Sequence, residues 1–212
     1  QPTVDFEGRA EVSLGNYGFK QAKAAVSGPL TETLAARIAL STTSRRGTIY
    51  NVTTDRWIQS QDNNGLRGQL LFKPSEAFSL TLAGDYSEQD AVCCGSVYVR
   101  TGTTQRATNR QFSALAAAQG YAVASTNPFD RVTDLDATLQ AGNKIGGVSL
   151  KANWDVGPGT LTSVTAWRFW DWTPQNVRDF TGLPIVTKSQ NPSQQDQYTQ
   201  ELRYNYSGDR VD

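Results

Sequence analysis

Runs of alternating apolar and polar residues, joined by connections that are by turns short and long, limit the folds open to this chain of 212 residues. From Phe6 to Leu14 the sequence FEGRAEVSL sets Phe6, Gly8, Ala10, Val12 and Leu14 at one parity and Glu7, Arg9, Glu11 and Ser13 at the other. A period of two means a strand with one apolar face, because successive side chains leave a strand in opposite directions. After Asn16, Tyr17 and Gly18, which suit a tight reversal, Ala22, Ala24 and Val26 alternate with Gln21, Lys23 and Ser27. The same rule marks strands through Leu34 to Leu40, Leu66 to Phe72, Phe78 to Tyr86, Val148 to Trp154 and Tyr198 to Tyr204. Between Leu161 and Trp172 aromatic residues fall on both parities, so a strand is expected there with its apolar face undetermined. About eight strands result, near 4–15, 19–28, 34–43, 62–73, 78–87, 144–154, 160–171 and 196–206.

The connections carry the second half of the signal. Gly28 to Thr33 (GPLTET), Lys73 to Ala77 (KPSEA) and Asp155 to Gly159 (DVGPG) are tight, whereas Ser44 to Gln61, Glu88 to Asn143 and Thr173 to Asp196 are long and polar. Antiparallel strands running up and down a barrel put alternate connections on opposite rims, so this pattern fits a barrel crossing a bilayer. A soluble antiparallel sandwich also buries one face of each strand and is the plainer alternative. The barrel is favoured by strand lengths near the 9–11 or so that cross a bilayer at a tilt. It is also favoured by aromatic residues near strand ends on the apolar parity: Phe72, Phe78, Tyr86, Trp154, Tyr198 and Tyr204. The expected fold is therefore all-β: a partial antiparallel up-and-down transmembrane β-barrel, with one short helix in the longest loop. That helix is read at Asn109 to Gln119 (NRQFSALAAAQ), capped by Thr108 or Asn109, with Phe112, Leu115 and Ala116 on one face and Gly120 past its end.

Composition removes several classes of function. Basic and acidic residues balance at 20 each, so no net field draws nucleic acid, and no nucleic-acid partner is expected. No run approaches the roughly 18 apolar residues of a transmembrane helix. With no His and two Cys, the usual general base and the soft-metal sites are missing; no enzyme activity, cofactor or metal is expected. Asp130, Asp134 and Asp136 lack the glycine and terminal glutamate of a calcium loop. The chain has no Met and no leader, and reads as processed or as a piece of something longer. Cys93 and Cys94 are adjacent in a predicted outer loop. With no third Cys in this chain and an oxidising compartment implied, they are expected to pair with each other.

Five segments carry a family likeness: Glu7 to Phe19 (EGRAEVSLGNYGF), Leu66 to Ser75 (LRGQLLFKPS), Cys93 to Tyr98 (CCGSVY), Gly159 to Trp167 (GTLTSVTAW) and Gln197 to Arg203 (QYTQELR). Together they resemble the barrel of a TonB-dependent outer-membrane receptor, most closely the alphaproteobacterial kind, over nearly the whole chain. In such receptors a plug domain precedes a barrel of about 22 strands. No segment here resembles a plug, and the chain ends Arg210, Val211, Asp212 instead of on an aromatic strand, so it reads as the first third or so of the barrel. With about eight strands of a larger barrel, an open curved sheet or a small closed barrel is expected, edged by Phe6 to Leu14 and Tyr198 to Tyr204.

The resemblance implies active uptake of a scarce solute through the outer membrane, with a ferric siderophore as cargo and a vitamin or saccharide as other options. The implied partners are outer-membrane lipid, the plug of the full-length protein and, through absent segments, the TonB complex; long loops would face outside and short turns the periplasm. A small passive porin-like barrel and a soluble β-rich binding or adhesion domain are the rival readings. Candidate ligand-contacting residues are Trp57, Tyr98 and Arg100 in or near loops, and Trp170 and Trp172, while Trp167 and Phe169 are read as belt or wall. A membrane-interface belt competes for the same tryptophans. Glu7, Arg9, Glu11, Lys23, Arg37, Arg67, Lys151, Glu201 and Arg203 share the polar parity, where pairing between neighbouring strands competes with a role toward plug or solute.

Overall fold

The computed structural model describes residues 1–206. Arg210, Val211 and Asp212 lie outside them. Eight long strands follow the alternating segments: β1 (Glu7–Gly15), β2 (Phe19–Pro29), β3 (Leu34–Arg45), β6 (Gln61–Ser75), β7 (Phe78–Ala91), β9 (Gln140–Val156), β10 (Gly159–Asn176) and β12 (Ser193–Tyr206). Short strands lie within the long connections: β4 (Ile49–Asn51), β5 (Arg56–Ile58), β8 (Val132–Thr133) and β11 (Ser189–Gln190). The long strands pair antiparallel, each with the next, and β11 pairs the end of β10. Among the described residues β1 and β12 do not pair with each other, so these strands form an open sheet and not a small closed barrel.

Register decides which side chains share a face. The pairs Val26↔Ile38, Ile38↔Gly68, Leu70↔Leu82, Leu82↔Leu150, Leu150↔Thr165 and Thr165↔Gln200 belong to one continuous surface carrying the apolar parity of every strand. That surface is uncovered: Val12 is 73% exposed and Leu14 77%, with Ile38, Leu40, Leu66 and Leu202 also exposed. On β7 its apolar row runs from Phe78 to Tyr86, roughly 20 Å along the axis of a barrel tilted by about 40°. The hydrophobic core of an ordinary domain, by contrast, lies outside the long strands. Ile58, Leu135, Ala137, Leu139 and Val177 are buried together, with Ile49 and Val92 against them.

The strands run further than apolar alternation indicates. β6 begins at Gln61, β7 continues to Ala91 and β10 to Asn176, with polar side chains such as Asn63, Asn64, Glu88 and Asp90 on hydrogen-bonded backbone. Ladder bonds do not require an apolar side chain, so these ends leave no hydropathy signal.

The helix is shorter than its sequence suggests, at α1 (Phe112–Ala118), and neither Thr108 nor Asn109 caps it. Those two residues and Arg110 form a separate 3-10 turn. Gln111 is extended, at φ −93° and ψ 159°, and spends its side-chain amide on the Arg106 carbonyl at 3.0 Å. Ala116 is buried and Leu115 is not, while Gly120 ends the helix at φ +64°.

Candidate functional site

The polar face of the sheet is tied by ion pairs between neighbouring strands. Lys23 Nζ lies 3.6 Å from Glu11 Oε1, and Arg67 Nη1 lies 3.6 Å from Asp85 Oδ1, each pair directly opposite in register. Arg168 also reaches Asp85, but from β10, with β9 in between, donating at 2.7 and 2.8 Å to its two carboxylate oxygens. The intervening residue is Gly147, which stands opposite both Asp85 and Arg168. A Cβ there would sit 2.8 Å from Arg168 Cδ and against the Trp167 carbonyl. Gly146 does the same on the apolar face, where Phe169 lies across it toward Tyr86, their ring centroids 6.3 Å apart. Two consecutive glycines therefore let two consecutive β10 side chains reach over β9, one on each side of the sheet. A concavity of about 550 Å³ opens beside Arg9, Glu11, Lys23, Arg67 and Asp85.

Register also settles the face of β10. Leu161, Trp167 and Phe169 pair with Trp154, Val148 and Gly146 and belong to the apolar surface. Trp170 and Trp172 stand opposite Ile145 and Asn143 on the polar face, their rings stacked at 5.6 Å and 15°, with Trp170 Nε1 donating to Asn143 Oδ1 at 2.6 Å. A hollow of about 360 Å³ adjoins Trp170, Arg168, Ile145, Gln195 and Gln197.

The three longest connections pack together into one cap. β4 pairs antiparallel with β5 and parallel with β8, so the first two long loops share a small sheet. Tyr50 N–H donates to the Arg131 carbonyl and Val52 N–H to the Thr133 carbonyl, each at 2.8 Å. The buried Asn51 donates from Nδ2 to the Leu135 carbonyl at 2.8 Å. The third loop joins through Tyr121, whose hydroxyl donates to Asp134 Oδ2 at 2.6 Å and accepts the Gly182 N–H at 3.3 Å. Burial and that carboxylate push the Tyr121 hydroxyl up to about 12. Burial, and then Asp179, raise Asp136 above the ordinary carboxylate range; its Oδ1 is buried without a hydrogen-bond partner. Asp130 instead bonds Ser125 and Asn127.

The five ligand candidates separate into three places. Trp57 lies on β5, its ring 5.3 Å from Tyr50 and under the Arg46 guanidinium. Tyr98 stacks on Phe112 at 5.8 Å, in the second loop with the exposed Arg100. Trp170 and Trp172 line the wall, and no ring contact joins the three places among the described residues. Cys93 and Cys94 are joined, immediately before Gly95, where a Cβ would run into Ile58, Leu139 and Leu135. The cap core and the Arg168–Asp85 pair escaped the sequence reading. The alternation Leu135, Ala137, Leu139 and the Gly146–Gly147 pair were their signals.

No protein-family model matches the chain, and no curated protein matches it. Solved structures do. The ferric yersiniabactin uptake receptor FyuA from Yersinia pestis matches 99% of this chain and 29% of its own length, with a TM-score of 0.70 at 14% identity. The ferripyoverdine receptor of the outer membrane of Pseudomonas aeruginosa matches 95% of this chain and 25% of its own, at TM-score 0.60 and 14% identity. The ferric-catecholate import receptor Fiu from E. coli K12 matches 95% and 30%, at TM-score 0.61 and 13% identity. The chain spans less than a third of each of these structures and has the fold of part of their barrel wall.

Proposed function

We propose that this chain is a wall segment of an outer-membrane receptor for active uptake of a scarce solute, with a ferric siderophore as cargo and TonB as the source of energy. The observation that carries the reading is the two-faced sheet: an uncovered apolar surface across all the long strands, on a fold shared over 99% of the chain with an uptake receptor. An exposed apolar surface of this extent needs lipid against it. On this reading the polar face, with its paired charges, turns toward the barrel interior and a plug, and the capped rim faces outside. Trp57, Tyr98, Arg100, Trp170 and Trp172 are proposed to meet the solute.

The test is uptake by cells that carry or lack the gene encoding this chain, grown under iron limitation and offered radiolabelled ferric siderophores of several chemistries. Loss of uptake of one siderophore on deletion, and a second loss when TonB is inactivated, are expected. Unchanged iron uptake with loss of another labelled solute would replace the cargo; unchanged uptake of every solute would overturn the transport reading.

A further inference from the structure

The tip of the β1–β2 hairpin gathers cations without counter-charges. Tyr17, at φ +60°, stands between two arginines from different loops. The Arg46 guanidinium carbon lies 5.8 Å from the Tyr17 ring centroid and 4.8 Å from that of Trp57. The Arg131 guanidinium carbon lies 5.3 Å from the same Tyr17 ring, and its Nη1 donates to the Tyr17 hydroxyl. Backbone bonds hold the three segments in place: Arg46 N–H donates to the Tyr17 carbonyl at 3.2 Å, and Tyr50 N–H to the Arg131 carbonyl at 2.8 Å. Among the described residues no carboxylate lies within ion-pair reach of Arg46 or Arg131. The nearby Asp55 accepts instead from Tyr50.

Arg46, held over the Trp57 ring, keeps its edge N–H groups free, and Arg131 keeps those it does not give to the Tyr17 hydroxyl, in the planar fork that matches an oxyanion. Holding two such groups at one ring costs repulsion that a bound anion removes. Lys20 is on the same hairpin and pairs with Leu14 in register, on the apolar face at the end of its row. Tyr17 is at most about 10 Å of chain beyond Leu14. If the apolar face lies in lipid, the cluster then stands at the headgroup layer, which is roughly 5–8 Å deep on each side of the hydrocarbon.

We propose that Arg46 and Arg131, propped on Tyr17 and Trp57, form a phosphate-binding site at the rim, which shares Trp57 with the proposed solute contacts and lies apart from Trp170 and Trp172 of the wall. The phosphate can come from a lipid headgroup or from a soluble ligand. The lipid source rests on the lipid-facing reading above; phosphate binding itself does not.

The test takes the full chain folded in detergent micelles and titrates it in two arms, with inorganic phosphate by calorimetry and with micelles doped or not with lipid A. Saturable binding in at least one arm is expected, and the arm that responds identifies the source. Arg46→Gln with Arg131→Gln should weaken binding about tenfold per guanidinium removed, and Trp57→Ala, which keeps both charges, about two- to fivefold. Arg110→Gln, an exposed arginine elsewhere in the loops, should change nothing. If the double glutamine variant loses its sheet signal by circular dichroism, Arg46→Lys with Arg131→Lys replaces it and should also bind more weakly, since lysine lacks the fork. No binding in either arm, an equal loss in Arg110→Gln, or no effect of Trp57→Ala would each overturn the site. A wrong lipid-facing reading would show separately, as a chain that stays folded and monomeric without detergent.

Discussion

Truncating Leu135 to Ala isolates the cap from the wall. Leu135 is 1% exposed and sits among Ile58, Ala137, Leu139 and Val177, residues from all three long loops. Removing three buried carbons in a core that relaxes only partly costs about 3–5 kcal/mol. None of this core belongs to the apolar surface of the long strands, so the cost should fall on the cap's own opening equilibrium. At about 1.4 kcal/mol per factor of ten, the open population should rise at least a hundredfold. Hydrogen–deuterium exchange in detergent reads this directly. The Tyr50 and Val52 amides, which bond across to the second loop, should lose protection, while Ile38, Leu82 and Leu150 in the long strands keep theirs. Protection lost evenly over cap and wall would mean one cooperative unit. Unchanged protection at Tyr50 and Val52 would mean that the loop core does not hold the cap. Either result refutes the separation of cap from wall.

Replacing Arg168 by Gln leaves Asp85 with the longer Arg67 pair and should cost under about 1 kcal/mol at this half-exposed site. Gly147→Val, which presses on both Arg168 and the Trp167 carbonyl, should cost more, about 1–3 kcal/mol; urea midpoints in the reverse order would reject the crossing role of this glycine. Intact mass should rise by two hydrogens on reduction of the Cys93–Cys94 bond, with no alkylation beforehand, and free thiols in oxidised protein would count against the pairing. Because Asp136 holds its proton more tightly in the folded cap than in the unfolded chain, its contribution is fully present below the ordinary carboxylate range and is lost as pH rises through the raised value. Asp136→Asn should remove that dependence, and exchange at Val52 compared between acid and neutral pH tests it; a wild-type cap tighter at neutral pH contradicts the sign.

Alternation alone located the wall, because a strand with one apolar face writes its period into local sequence. Val12, Ile38, Leu70 and Leu150 needed no knowledge of their neighbours to be assigned to a common kind of face. Alternation left the face of the aromatic β10 segment open for the opposite reason. Trp167 and Trp170 are alike in hydropathy, and only pairing with Val148 and Ile145 separates them. The failed cap of α1 is a similar case, since Gln111 turns its side chain back to Arg106 instead of letting the helix start earlier.

Local order therefore settled that the chain forms long antiparallel strands with one rim of turns and one of loops, because period two and turn chemistry act over a few residues. The joining of loops that lie far apart in sequence was settled by tertiary structure. Ile58 meets Leu135 and Val177, Asn51 meets the Leu135 carbonyl, and Arg131 meets Tyr17. Those meetings depend on which strand ends the sheet sets side by side, a property of register and curvature that no short window of residues contains.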